Sequence, residues 1–281
     1  YAYEAERALT NGYAGYTGSV GPVFVSAGLS LSHTGDYGLK HHYGADLSYF
    51  FTNELSAYVS ANSSSRLPTF TDLYYSDPIR KSNPDLRPET AQTYEGGVAY
   101  GEKNLGIKAG FFTRFGQNII DWIKYPTETL WQSENLTAIT TQGIYMSAEY
   151  LPDAGPFTRL SVSYQLMNAD KKADGFDSKY ALDYLKHQLT GRVQHSIVKN
   201  IGASWTLLIK DRAGAYADFA TGAPTEYKPH CLLSTRVSWS LKRIQIYADA
   251  NNLLNDSYVD FGGLPMPGFH LLAGVKWQLR R

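Results

Sequence analysis

The chain has 281 residues, with 26 Lys and Arg balanced by 26 Asp and Glu, and one Cys. Zero net charge argues against nucleic acid as the main partner, which calls for a basic excess. A single Cys excludes an internal disulfide framework and any multi-cysteine zinc or iron–sulfur site. Charged residues make up 19%, aromatics 14% and Gly 25 positions, a composition too aromatic for disorder and less charged than the usual soluble domain. The chain opens Tyr1-Ala2-Tyr3-Glu4, with no Met and no charged-then-apolar leader, so it reads as mature or truncated. No run of about 18 apolar residues provides a spanning helix.

Alternation of apolar and polar residues dominates the chain from end to end. Val23, Val25, Ala27, Leu29 and Leu31 alternate with Phe24, Ser26, Gly28 and Ser30. Ala45-Leu47-Tyr49-Phe51, Leu55-Ala57-Val59-Ala61 and Ile107-Ala109-Phe111 follow the same rule. So do Leu160-Val162-Tyr164-Leu166, Leu189-Val193-Ile197, Ile201-Ala203-Trp205-Leu207-Ile209, Leu233-Val237-Trp239-Leu241 and Phe269-Leu271-Ala273-Val275-Trp277-Leu279. A period of two places one set on each face of a sheet. The second face carries Arg, Lys, Gln and Ser, which a closed apolar core rejects unless they are paired. Two architectures satisfy this pattern: a sandwich with apolar faces inward, or a membrane barrel with apolar faces toward lipid.

Length and spacing separate them. Many runs span roughly nine to thirteen residues, near the requirement of a transmembrane strand and beyond the usual globular strand. Short connections are expected near Val20–Pro22, Thr52–Glu54, Gly101–Asn104, Pro152–Pro156, Val198–Asn200 and Leu241–Arg243. Long ones are expected near His33–His41, Ser64–Glu89, Gly116–Glu134, Asn168–Asp183, Asp211–Pro229 and Asn251–Pro267. Short turns on one rim and long loops on the other mark an outer-membrane barrel. Aromatic clusters at Tyr49-Phe50-Phe51, Tyr74-Tyr75, Trp122, Tyr125, Tyr145, Tyr150 and Tyr247 suit interfacial girdles or ordinary cross-strand packing. The count is about thirteen strands, whereas single-chain bacterial barrels normally have an even number. The fold expected is therefore all-β: an antiparallel transmembrane β-barrel, or part of one.

Three segments narrow this further. They are Arg66-Leu67-Pro68-Thr69-Phe70-Thr71-Asp72-Leu73-Tyr74 with Asn83-Pro84-Asp85-Leu86-Arg87-Pro88-Glu89-Thr90; Ala250-Asn251-Asn252-Leu253-Leu254-Asn255-Asp256-Ser257-Tyr258; and Gly262-Gly263-Leu264-Pro265-Met266-Pro267-Gly268. In this order and spacing the chain resembles the C-terminal part of TonB-dependent outer-membrane receptors. The resemblance implies that residues 1–281 form the C-terminal portion of a barrel of about 22 strands, with the N-terminal plug domain and the first strands absent. It implies an outer-membrane location and no enzyme activity. It implies partners in membrane lipid, the plug, the TonB energy-coupling complex and a small-molecule ligand, with no resident cofactor and no metal site. Cobalamin is the first cargo expected, on the Gly262–Gly268 stretch, and a ferric siderophore the second. Two features depart from the family pattern: Leu67 stands where Ala is common, and the last strand ends Trp277-Gln278-Leu279-Arg280-Arg281 rather than on an aromatic residue.

The resemblance makes Arg66, Pro68, Asn83, Pro84, Leu86, Pro88, Glu89, Asn252 and Leu253 shape-determining residues. Ligand contacts are expected from the long connections: Tyr74, Tyr75, Arg80 and Lys81; Trp122, Tyr125 and Trp131; Arg212 and Tyr216, alongside Phe219 and Tyr227. Arg and Lys suit carboxylate or phosphate, and Tyr and Trp suit flat rings; each can equally serve loop packing. Arg159, Arg192, Lys210, Arg236 and Lys276 are read as a wet wall whose partners are plug carboxylates and water. A heme receptor would use His33, His41, His42 or His230 as the iron ligand, although residues 67–82 hold no His. The alternation is also compatible with a passive porin or oligosaccharide channel, and with a secreted β-sandwich or propeller enzyme. No G-x-S-x-G, H-E-x-x-H or P-loop motif occurs, and Cys231 reads as an inert filler.

Overall fold

The computed structural model describes residues 5–171, 175–179, 183–218 and 221–279. Phe219 and the terminal Arg280-Arg281 lie outside the described residues. Thirteen long strands carry the fold: β1 (Leu9–Val20), β2 (Val23–Thr34), β3 (Gly38–Phe50), β4 (Leu55–Arg66), β5 (Glu89–Glu102), β6 (Leu105–Lys124), β7 (Trp131–Tyr150), β8 (Phe157–Lys171), β9 (Tyr184–Val198), β10 (Ile201–Ala213), β11 (His230–Leu241), β12 (Ile244–Asn251) and β13 (His270–Trp277). Each is bonded to the next in sequence; among the described residues β1 pairs only with β2, and β13 only with β12. Among the described residues, no helix is long and apolar enough to cross a membrane.

The chain divides into two compact units, residues 1–98 with 110–143 and 168–182, and residues 99–109 with 144–167 and 183–281. In the first unit β1 to β4 form antiparallel ladders in unbroken register, such as Gly15 opposite Gly28 and Ala45 opposite Ala61. Leu29, Leu31, Leu47 and Val59 stay exposed. The buried apolar cluster of the described residues is Leu73, Leu86 and Ile120, which lies under the loop between β4 and β5 rather than between layers. A sandwich needs the reverse arrangement.

The second unit repeats the pattern on β8 to β13. Leu207 faces Leu233, Val237 faces Ala248 and Ile246 faces Val275, giving one apolar face. Val162 is 47% exposed and Trp239 46%, so among the described residues no second layer covers that face; in a membrane barrel it meets acyl chains. The opposite face carries Arg192, Lys210, Arg236, Asp249 and Lys276. There the Tyr247 ring lies across Gly274, with the Arg236 guanidinium 4.6 Å from its centroid. A Cβ on Gly274 would stand 2.5 Å from the Tyr247 hydroxyl. Gly274→Ala is therefore expected to swing the ring aside and cost about 1 kcal/mol. Thermal unfolding in detergent checks this, and in a Tyr247→Ala background the same substitution should cost almost nothing.

Several boundaries differ from the sequence expectation. The long connection placed at His33–His41 is a tight turn over residues 35–37, because Gly38 adopts φ +64° and Tyr37 N–H bonds Thr34 Oγ1 at 3.2 Å. The long connection placed at Gly116–Glu134 shrinks to residues 125–130, because β6 and β7 each run for 20 residues. Their extension is held from both sides: Asp177-Ser178 pairs antiparallel with β6, and Arg80-Lys81 pairs parallel with β7. These short strands satisfy backbone groups that a projecting hairpin would leave bare. At the other extreme β12 and β13 have 8 residues each, below the expected range.

Candidate ligand-binding site

In the first unit the β4–β5 loop is built by its motif residues. Arg66, closing β4, donates through Nε and its terminal nitrogen to the carboxylate of Glu89, which opens β5. Glu89 Oε1 also accepts from Ile120 N–H at 2.7 Å. Pro68 is fully buried, and Arg7 donates to its carbonyl at 2.9 Å. Thr69 caps helix α1 (Phe70–Tyr74): its hydroxyl accepts from Asp72 N–H, while Asp72 accepts from Thr69 N–H. This reciprocal cap stabilises a helix too short to stand alone. The Thr-x-x-Asp spacing is its signal in the sequence, where strand alternation drew no helix. Asn83 donates from its backbone to Asp72 and accepts from Asp85 N–H at 2.9 Å. Leu86 and Pro88 are buried. Together these contacts form a clasp over residues 67–88.

On this clasp Tyr74 is exposed and stacks on Phe70 at 6.3 Å. Tyr75 donates to Asp77 Oδ2 at 3.1 Å, and Asp77 Oδ1 accepts from Ile79 N–H at 2.8 Å. That backbone bond first, then the Tyr75 hydroxyl and Arg80, hold the Asp77 carboxyl below its ordinary range. A depressed pKa means the carboxylate orders residues 76–82 at pH above the usual aspartate value, and that ordering is lost as pH falls through the lowered pKa. Hydrogen exchange across residues 76–82 is expected to speed up in acid, and Asp77→Asn should remove that pH dependence.

Arg80 and Lys81 lie against Trp131 and Gln132. The Trp131 ring carries Lys124 Nζ 5.2 Å and Lys179 Nζ 6.0 Å from its centroid. Tyr125 packs edge-on against Phe176 at 5.9 Å, and burial followed by Glu134 raises its pKa. One expectation fails here: Trp122 is not an exposed loop aromatic. It sits within β6, 8% exposed, with its carbonyl accepting from Lys179 N–H, so it packs rather than presents a ring. Trp131 is likewise in a strand, β7.

In the second unit a set of groups gathers where β10 and β11 meet their loops. Asp260 accepts from Lys210 Nζ at 3.0 Å and from Arg212 at 2.9 Å. Arg212, expected in a loop, is a strand residue, and its guanidinium lies 5.7 Å from the Tyr227 centroid. Tyr227 is buried, donates to Asp183 Oδ2 at 2.7 Å and packs on Tyr216 at 5.0 Å. Burial first, then Asp183, push its phenol above the ordinary range. His230 is buried against Tyr258 at 4.4 Å, and His42 Nε2 pairs with Ser65 Oγ. Asn252, at φ +49°, donates to the carbonyls of Asp256 and Pro267, and Leu253 N–H bonds Leu233; these two motif residues fix the base of the β12–β13 loop.

The wet-wall expectation also needs correction. Three of its five cations are paired within the chain: Arg159 with Glu149 at 2.8 Å, Arg236 with Asp249, and Lys210 with Asp260. The partners Asp183 and Asp260 carry no signal in the sequence, since Asp260 lies 48 residues from Arg212 and no local pattern links them.

A family model described as TonB dependent receptor-like, beta-barrel, matches residues 1–253. The chain belongs to the TonB-dependent receptor β-barrel family. That family consists of outer-membrane receptors and transporters rather than enzymes. Similar solved structures include the siderophore receptor PirA from Pseudomonas aeruginosa, with 12% identity, 98% of this chain and 47% of that chain covered, and TM-score 0.72. The FrpB iron transporter from Neisseria meningitidis has 15% identity, 98% and 46% coverage and TM-score 0.71. The copper transporter OprC has 12% identity, 96% and 48% coverage and TM-score 0.73. This chain spans a little under half the length of each. Comparison with curated protein sequences finds no match. Family and fold together replace the porin and sandwich-enzyme readings.

Proposed function

We propose that the chain is the C-terminal portion of an outer-membrane receptor that binds an anionic metal chelate at its loop rim and admits it in a TonB-coupled manner. The missing part of the barrel would bond to β1 and β13, each paired on one side only, and a plug domain would fill the interior. The observation that carries this reading is the grouping of Lys210 and Arg212, two cations that share the single carboxylate of Asp260, with Tyr216 and Tyr227. Cations beside aromatic faces suit a ligand combining negative charge with flat rings. Trp131 with Lys124 and Lys179 repeats that chemistry in the first unit. Both sets favour a ferric siderophore over the cobalamin that the Gly262–Gly268 stretch suggested, and similarity to siderophore and iron transporters supports the same order.

The test is uptake of radiolabelled iron by iron-starved cells with and without the gene. A ferric tris-catecholate should enter only when the gene is present, with cyanocobalamin uptake unchanged. Arg212→Ala should weaken chelate binding at least tenfold. Uptake of cyanocobalamin alone would reverse the assignment of cargo.

A further inference from the structure

We propose that the polar face of the second unit carries a carboxylate-binding pocket with Arg192 as its principal cation. A cavity of about 490 Å³ opens there among β6, β7, β8 and β9. Its floor is made by short hydroxyl side chains, Ser147, Ser161, Ser163 and Thr190, on three neighbouring strands. Register explains the depression: Thr190 stands opposite Ser163, and Arg192 opposite Ser161. Two successive cross-strand positions thus bring no bulk above the sheet on their β8 side, while Arg192 and Lys108 rise at the sides.

The charges settle what would fill it. Glu149 lines the same cavity and pairs with Arg159 at 2.8 Å, but both side chains are nearly half exposed, so its charge is offset only in part. Lys108 adds a positive charge, lying 5.4 Å from the Tyr145 centroid. Among the described residues, no ion pair or hydrogen bond engages the Arg192 guanidinium, although it sits in a polar concavity with four hydroxyl donors. A concave surface with excess positive charge concentrates anions. The planar guanidinium fork matches the two oxygens of a carboxylate, and Ser and Thr hydroxyls donate to the same oxygens. Glu149 in the wall disfavours a dianion, which selects carboxylate over phosphate. The carboxylate could come from a free small molecule or from an acidic side chain of a polypeptide lying against this face. The pocket needs only the alternation and register of this sheet, and no part of the chelate reading.

The experiment uses the whole chain refolded in detergent micelles, with trifluoroacetate followed by fluorine NMR. Line broadening that acetate reverses is expected for the wild type. Arg192→Gln and, separately, Ser161→Leu, which fills the floor while keeping the cation, should each weaken binding at least tenfold; Arg192→Lys should recover part of it. Circular dichroism shows whether each variant keeps its strands. An acetylated Ala-Glu-Ala amide that binds tenfold tighter than acetate identifies a polypeptide source, and equal or weaker binding a small carboxylate. No broadening in the wild type, undiminished binding in both folded variants, or tighter binding of inorganic phosphate than of acetate would overturn the proposal.

Discussion

An Asp260→Asn variant is expected to free the β12–β13 loop and to lose about 2–3 kcal/mol of stability. The wild-type carboxylate is shared by Lys210 and Arg212, and all three side chains are about one-fifth exposed or less. Removing its charge leaves two half-desolvated cations facing an amide. That loss exceeds the value of an exposed ion pair, yet falls short of a fully buried one because some solvent reaches the site. The loop keeps other anchors, namely the His230–Tyr258 stack, the Asn252 bonds to Asp256 and Pro267 and the short pairing of residues 259–260 with 264–265, so the variant loosens the loop without unfolding the sheet. Chymotrypsin is the simplest probe: cleavage after Tyr258 should be slow in wild type and fast in the variant, with the rest of the chain resistant. Equal cleavage rates would mean the ion pairs contribute nothing to loop position. By contrast, breaking the Lys103–Asp153 pair, with side chains 76% and 61% exposed, should leave stability nearly unchanged.

Glu89→Ala is expected to cost about 2–4 kcal/mol, because one carboxylate serves two separate partners. It joins Arg66 across the mouth of the β4–β5 loop and accepts the Ile120 N–H, so its loss leaves Arg66 with only the longer 3.7 Å contact to Asp72 and bares a backbone donor. Ile120 belongs to the cluster with Leu73 and Leu86, so apolar packing beneath the loop loosens as well. Glu89→Gln retains an acceptor for Ile120 and should cost roughly half as much. Arg66→Lys should not match the wild type, since an ammonium cannot reproduce the two-pronged guanidinium contact. Denaturant unfolding of the refolded protein, followed through Trp122 and Trp131 in the same unit, orders these variants. A Glu89→Ala midpoint equal to wild type would show that the clasp is not a stabilising element.

Much of the fold was legible because it depends on short-range pattern. A strand's pleat alternates side chains at every second residue, so rows such as Val237, Trp239 and Leu241 declared their common face without any partner being known. Turn chemistry was also local, and the short connections fall close to where the strands end. The β2–β3 connection misled because His33–His41 looks polar and loop-like, while Gly38 and Thr34 close it tightly. The length of β6 and β7 was hidden for a different reason. Those strands continue only because Arg80-Lys81 and Asp177-Ser178 supply backbone partners from elsewhere in the chain.

The candidate site divides along the same line. Arg212 and Tyr216 were recognisable as chemistry suited to a ligand, but whether they are occupied or available was not, since Asp260 and Tyr227 reach them only through loop closure. Trp122 looked like a binding aromatic and proved to be packing, because burial depends on what folds over a residue.

By itself the sequence determined the two-faced strands and their order, both consequences of backbone periodicity and of turn residues near in sequence. The tertiary structure alone decided which charges neutralise one another and which, like Arg192, are left facing a cavity. Charge pairing follows distance in space, and in a meander of long strands and long loops that distance is set by register and loop docking rather than by separation along the chain.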